Sequence, residues 1–243
     1  MWRAELRGSD HDIDDLERVL PAGGRFSVDV EGDKRYLAGA ELNTPDASDA
    51  LKVARRVLGL LNAAALLADR GHRVVETNRL IDENGRACVF VEPETATAYM
   101  RASVATVVTS SSEQPPTPTR RLRTWGELIL DLEQIPAVGE VCDLLLGSMS
   151  AVDQYKIWEI VGDPKGPLGK GHPLAPKKEA TRFTRSVNDP AVSGLDARHA
   201  RLSGLPSSSP MSIGEARAFI EQVGRTWLER LAEKNGIPTE TDA

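Results

Sequence analysis

A chain of 243 residues with 40% hydrophobic content is long enough to bury one large core or two modest ones, and its mean hydropathy of −0.31 is ordinary for globular protein. A formal charge of −6 argues against a nucleic-acid-binding surface over the whole molecule, which leaves room only for a local basic patch. Cys88 and Cys142 lie far apart without C-x-x-C or Cys/His spacing, so neither a disulfide framework nor a structural zinc site is expected.

The amino terminus, MWRAELRGSD, lacks the apolar core of a signal peptide, and no run approaches the roughly 20 apolar residues that span a bilayer. A cytoplasmic protein with no membrane partner is the expectation. Trp2, Ala4 and Leu6 alternate with charged residues, the period of a half-buried strand. The next segment, DHDIDDLERVL, sets carboxylates ahead of Ile13, Leu16, Val19 and Leu20, as a helix start favours. Asp10, His11, Asp12, Asp14 and Asp15 include metal-ligand types, but they follow one another instead of converging from separate elements. The helix start is therefore the reading adopted, and no metal is expected there.

Phe26, Val28 and Val30 alternate ahead of Gly32-Asp33, then Tyr36 and Leu37, which predicts a hairpin. Residues 46–70 carry helical spacing, apolar nearly all round between Val57 and Ala68, with Gly71 expected as a left-handed cap. Val74 and Val75, the turn DENG, and residues 87–91 predict a second hairpin; its turn lacks the ligand series of a calcium loop. Residues 97–109 favour strands by composition. Residues 110–119, SSSEQPPTPT, have no apolar side chain and three prolines, the composition of an extended linker.

Beyond it the pattern is helical. Thr124 and Glu127 form a capping-box signature for a short helix through Glu133. One longer helix is expected from Val138 or Gly139 to Gly162, followed by a Gly/Pro/Lys loop in which Gly169-Lys170 lacks the remaining residues of a P-loop. Residues 176–187 predict another helix. Ser212 and Glu215 cap the last one, whose Ile213, Ala216, Phe219, Ile220, Val223, Trp227 and Leu231 follow helical spacing until Gly236. Trp227 and Phe219 are expected against the helix carrying Leu145 and Tyr155. The fold class is thus α+β: an amino-terminal antiparallel sheet packed on a long helix, followed by a carboxyl-terminal helical bundle. The expected domains are residues 1–109 and 120–243, joined by the linker at 110–119.

Between residues 162 and 201 eight basic residues face four acidic ones, and residues 181–205 concentrate Arg182, Arg185, Arg198, Arg201, Asn188 and His199 around two turn signals. Four guanidiniums and an imidazole that titrates near neutrality suit a phosphate or a carboxylate. Without a ligand the same residues make the solvated face of two helices joined by turns.

The segments QYKIWEIVGD, RFTRSVNDP and ARHA, followed by a capped helix, resemble the helical HEPN-type domains of prokaryotic defence and RNA-processing systems, over at most residues 124–231. That resemblance implies a helical bundle, a homodimer and, in active members, metal-independent cleavage of RNA by an Arg, a polar residue and a His. Arg185, Asn188 and His199 would be the catalytic set, and Arg182, Arg198 and Arg201 would hold RNA or another phosphate-bearing ligand. No cofactor is expected. The family places Arg and His four to six residues apart, whereas thirteen residues separate Arg185 from His199 here. The alternative is a non-catalytic interaction or regulatory module whose helical domain pairs with itself or with a partner.

Overall fold

The computed structural model describes residues 1–20, 23–90, 121–122, 124–171, 173–193, 209–238 and 240–241. Strand β1 (Arg3–Glu5) is followed by helix α1 (Asp10–Val19), the hairpin β2 (Phe26–Glu31) and β3 (Lys34–Gly39), and a short 3-10 helix (Ala40–Leu42). Then come the long helix α2 (Ala47–Ala68) and the hairpin β4 (Arg79–Ile81) and β5 (Ala87–Val89). These strands form one antiparallel sheet in the order β2-β3-β1-β4-β5. The alternation expected of β1 holds in three dimensions: Ala4 pairs with Leu37 on one side and Leu80 on the other, and all three are buried.

Helix α2 begins at Asp46, whose side chain accepts from the Ser48 N–H, and its run from Val57 to Leu67 is buried almost throughout. A helix apolar on every side must be covered on every side. Here the cover comes from α1, β4, the 3-10 helix, α3 (Trp125–Asp131) and α4 (Pro136–Leu146). Helices α5 (Ala151–Gly162), α6 (Lys177–Asn188), α7 (Pro190–Ser193) and α8 (Ile213–Lys234) complete the helical half, and β6 (Arg121–Leu122) pairs with β7 (Glu240–Thr241). One contiguous hydrophobic cluster runs from Ala4 through α2 to Ala232.

The structure is α+β, as expected, but several boundaries differ. Val74 and Val75 are not a strand. Both backbone polar groups of Val75 are taken by the Asn62 amide, which leaves nothing for a sheet ladder, and the hairpin starts at Arg79. Gly71 is not a left-handed cap: α2 stops at Ala68, and the Asp69 carboxylate accepts from the Gly71 N–H at 2.7 Å. The single helix expected from Val138 to Gly162 is two, broken at Met149, whose φ of 53° is left-handed. Ser150 and Asp153 then form a capping box that starts α5 afresh. Residues 97–109 and the linker at 110–119 lie outside the described residues.

Helix α8 packs on α5, α6, α4 and α3. Trp227 is fully buried, whereas Phe219 is half-buried in an aromatic group with Trp158 and Phe183, at ring-centroid distances of 6.0 and 5.0 Å. Gly236, at φ 69°, closes α8 with the Ile237 N–H donating to Ala232 and its own N–H to Glu233.

Candidate functional site

Of the polar stretch, Arg182, Arg185 and Asn188 are among the described residues. Arg182 and Arg185 sit one turn apart on α6, but Arg182 is spent on tying α6 to the start of α8: it donates to the carbonyls of Ser209 and Pro210 at 2.7 and 3.1 Å and pairs with Glu215 at 3.3 Å. The Asn188 side-chain amide donates to Thr184 at 2.7 Å, so that group secures the end of its own helix. Arg185 is exposed and has no hydrogen bond or ion pair among the described residues. Arg198, His199 and Arg201 lie outside the described residues, so the geometry of the proposed catalytic set stays a matter of sequence.

The concentration of chemistry lies elsewhere, where α1, the middle of α2 and the loop after α2 meet. Ser9 caps α1, and the helix then places His11 and Asp12 one turn before Asp15. Asp12 and Asp15 are 5% and 4% exposed, and His72 is 3% exposed. Each of Asp12, Asp15 and His72 offers a ligand atom within 4.8 Å of the others; His11, Asp15 and Asp69 form a second such group, on the solvent side, that shares Asp15.

Hydrogen bonding decides what these atoms present to one another. The Asn62 Nδ2 donates to the Val75 carbonyl at 2.9 Å, and its Oδ1 accepts from the Val75 N–H at 2.8 Å, which fixes which way the amide faces. That same Oδ1 lies 2.9 Å from His72 Nε2, so Nε2 is the ring nitrogen that carries the proton. In the neutral ring Nδ1 therefore holds a lone pair, and it faces Asp15 Oδ2 at 3.5 Å. Burial pushes the His72 pKa below its ordinary value despite the pull of Asp15 and Asp12, which favours that neutral ring. Neither Asp15 oxygen accepts a hydrogen bond, and His72 Nδ1 has none either. Apart from His72, Asp15 has an ion pair with the exposed Arg18.

Asp12 is held differently. Burial resists its ionisation, but a hydrogen bond from the Ser9 hydroxyl at 2.6 Å and one from the Arg73 N–H at 2.9 Å outweigh it and lower its pKa. Asp69 Oδ1 accepts from the Gly71 N–H, and Arg225 of α8 donates to the Leu67 carbonyl, so α8 steadies the end of α2 from which the segment with Asp69 and His72 departs. A pocket of about 330 Å³ opens beside the cluster, between Asp15, Arg18 and Val19 of α1, Ala65 and Ala68 of α2, Asp69, and Thr124 and Trp125 at the start of α3.

On the sequence, His11, Asp12 and Asp15 stand close together in one helix start, with no ligand expected from a second element. The fold supplies the missing convergence from two other elements, through His72 and Asp69. A lone amide inside the apolar run of α2 was the available signal, since a buried Asn must have partners. No family model, no curated protein and no solved structure matches this chain.

Proposed function

We propose that this chain binds a divalent transition-metal ion between Asp12, Asp15 and His72. The observation that carries the reading is the facing of two acceptors: a histidine lone pair and a carboxylate oxygen, both buried, 3.5 Å apart, with the proton of the neutral ring held on Nε2 by Asn62. Such a pair repels in isolation and becomes attractive around a cation. The donor set of one imidazole and two carboxylates suits zinc, manganese or ferrous iron better than calcium or magnesium, which prefer oxygen alone. Asn62 supplies what a metal-bound histidine requires, a fixed acceptor for its other N–H.

Calorimetric titration of chelator-treated protein with Zn²⁺ tests it. One saturable site that is lost in Asp15→Asn and in His72→Gln is the expected result. If the wild type takes up no Zn²⁺, while both variants only change thermal stability, the group is a buried ion pair of His72 with Asp15 and the reading fails.

A second reading is favoured by the exposed Arg185. We propose that the basic segment including α6 contacts a phosphate-bearing partner such as RNA, as its HEPN-like sequence suggests, with Arg198, His199 and Arg201 contributing. Arg185→Ala should then weaken RNA retention in a mobility-shift assay without changing the melting temperature. Unchanged retention would move the helical half to the alternative reading, a module for self-association or partner binding.

A further inference from the structure

The pocket beside the cluster suggests what the bound ion is for. Asp15, shared by the two cation-competent groups, and Asp69, of the solvent-side group, also line the 330 Å³ pocket, so a cation held by Asp15 sits at the edge of that space. That volume lies at the small end of ligand pockets, which run from about 300 to 1,000 Å³. Three protein ligands around zinc leave one position for water or a ligand in tetrahedral geometry.

Charge and lining then set the class of ligand. Asp12 and Asp15 together balance a divalent ion, Arg18 adds one positive charge at the rim, and Asp69 sets one negative charge on the wall, so the pocket suits a ligand with no more than a single negative charge, placed on the Arg18 side. The Arg18 guanidinium is paired with Asp15; a cation that draws the charge of Asp15 would make Arg18 available to an incoming anion. Thr124 and the apolar Val19, Ala65, Ala68 and Trp125 complete the wall, and among the described residues Arg18 is its one basic side chain. We infer, resting on the metal-binding reading, that the pocket takes a small monocarboxylate whose head meets the ion and Arg18 and whose short apolar body lies against Ala65, Ala68 and Trp125.

Cobalt(II)-loaded protein allows the ion and the pocket to be read separately, because its visible absorption reports on the coordination sphere. Titration with hexanoate should shift the band saturably, and acetate should do so with weaker affinity because it lacks the apolar body. Arg18→Gln should weaken hexanoate by about ten-fold or more through the lost charge-assisted contact. The same substitution should tighten Co²⁺, since a competing cation beside Asp15 is gone. Ala68→Phe, at an exposed position, should fill the pocket and abolish the preference for hexanoate over acetate while Co²⁺ still binds. A Co²⁺ band that no carboxylate moves, or one that inorganic phosphate moves more strongly than hexanoate, would overturn the inference and leave the metal site standing. Failure of Co²⁺ to bind the wild type would remove both.

Discussion

Asn62 is the sole polar side chain between Val57 and Leu67, and it is 2% exposed, so its place in the helix rests on the bonds it makes. It satisfies both backbone groups of Val75 and orients His72, which makes it the residue on which the cluster's geometry depends. Asn62→Leu should lower Zn²⁺ affinity by about 10- to 100-fold, the usual effect of removing the partner of a metal-bound histidine. It should also lower stability by about 1 to 3 kcal/mol for each buried Val75 group left unpaired. A calorimetric titration beside a thermal melt separates the two effects; full affinity in a destabilised variant would mean that Asn62 serves the fold alone. The two cysteines make a simpler case. Burial pushes the Cys142 thiol up to about 12, and it is 1% exposed, so it should resist a thiol reagent in the folded protein while the half-buried Cys88 reacts. Labelling of both at equal rates would contradict the packing of α4.

Among the elements, those carried by periodicity and caps were legible: α1, the β2–β3 hairpin, α2, the starts of α3 and α8, and the Gly236 stop all follow from local rules. The misreadings share a cause, which is that a distant side chain or a local break overrode the pattern. Val74 and Val75 look like a strand until Asn62 takes the Val75 backbone. The apolar spacing of α4 and α5 runs on across their junction, and the signal that divides them is the polar pair Ser150 and Asp153. The cluster itself was half legible, since its α1 residues were noted while His72 and Asp69 needed the fold. The contact between α1 and α3 yields a test at this scale. A Cβ on Gly126 would lie 2.2 Å from the Val19 carbonyl oxygen, and Thr124 donates to that same oxygen at 2.5 Å, so the two helices meet at backbone contact. Gly126→Ala should force α3 away and cost about 1 to 3 kcal/mol in a denaturant melt, as overpacking does. An unchanged midpoint would show that this junction yields freely.

At the scale of the whole molecule, α2 is shared by the sheet and the helical half, and a charged knot reinforces the junction. Glu133, whose side chain is 3% exposed, pairs with Arg25 at 2.5 Å and with Arg56 of α2, and both arginines also reach Glu41. Burial would raise the Glu133 pKa, but the hydrogen bonds from Arg25 and Arg56 outweigh it and hold the group below its ordinary 4.5. The unfolded chain therefore takes up this proton first. The contribution to stability is full above about pH 4.5 and is lost as the pH falls through the lower, folded value. Glu133→Gln should be less stable near neutral pH by about 1 to 3 kcal/mol and should show a shallower loss on acidification; parallel pH profiles for the two proteins would contradict the assignment. Whether His72 presents an Nδ1 lone pair to a cation held by Asp15 is read directly from its ring nitrogen shifts by NMR in ¹⁵N-histidine-labelled protein, with and without Zn²⁺. Nε2 should be protonated in both states, and Nδ1 should move from a free lone pair to a metal-bound position. Two protonated nitrogens, unchanged by Zn²⁺, would contradict it.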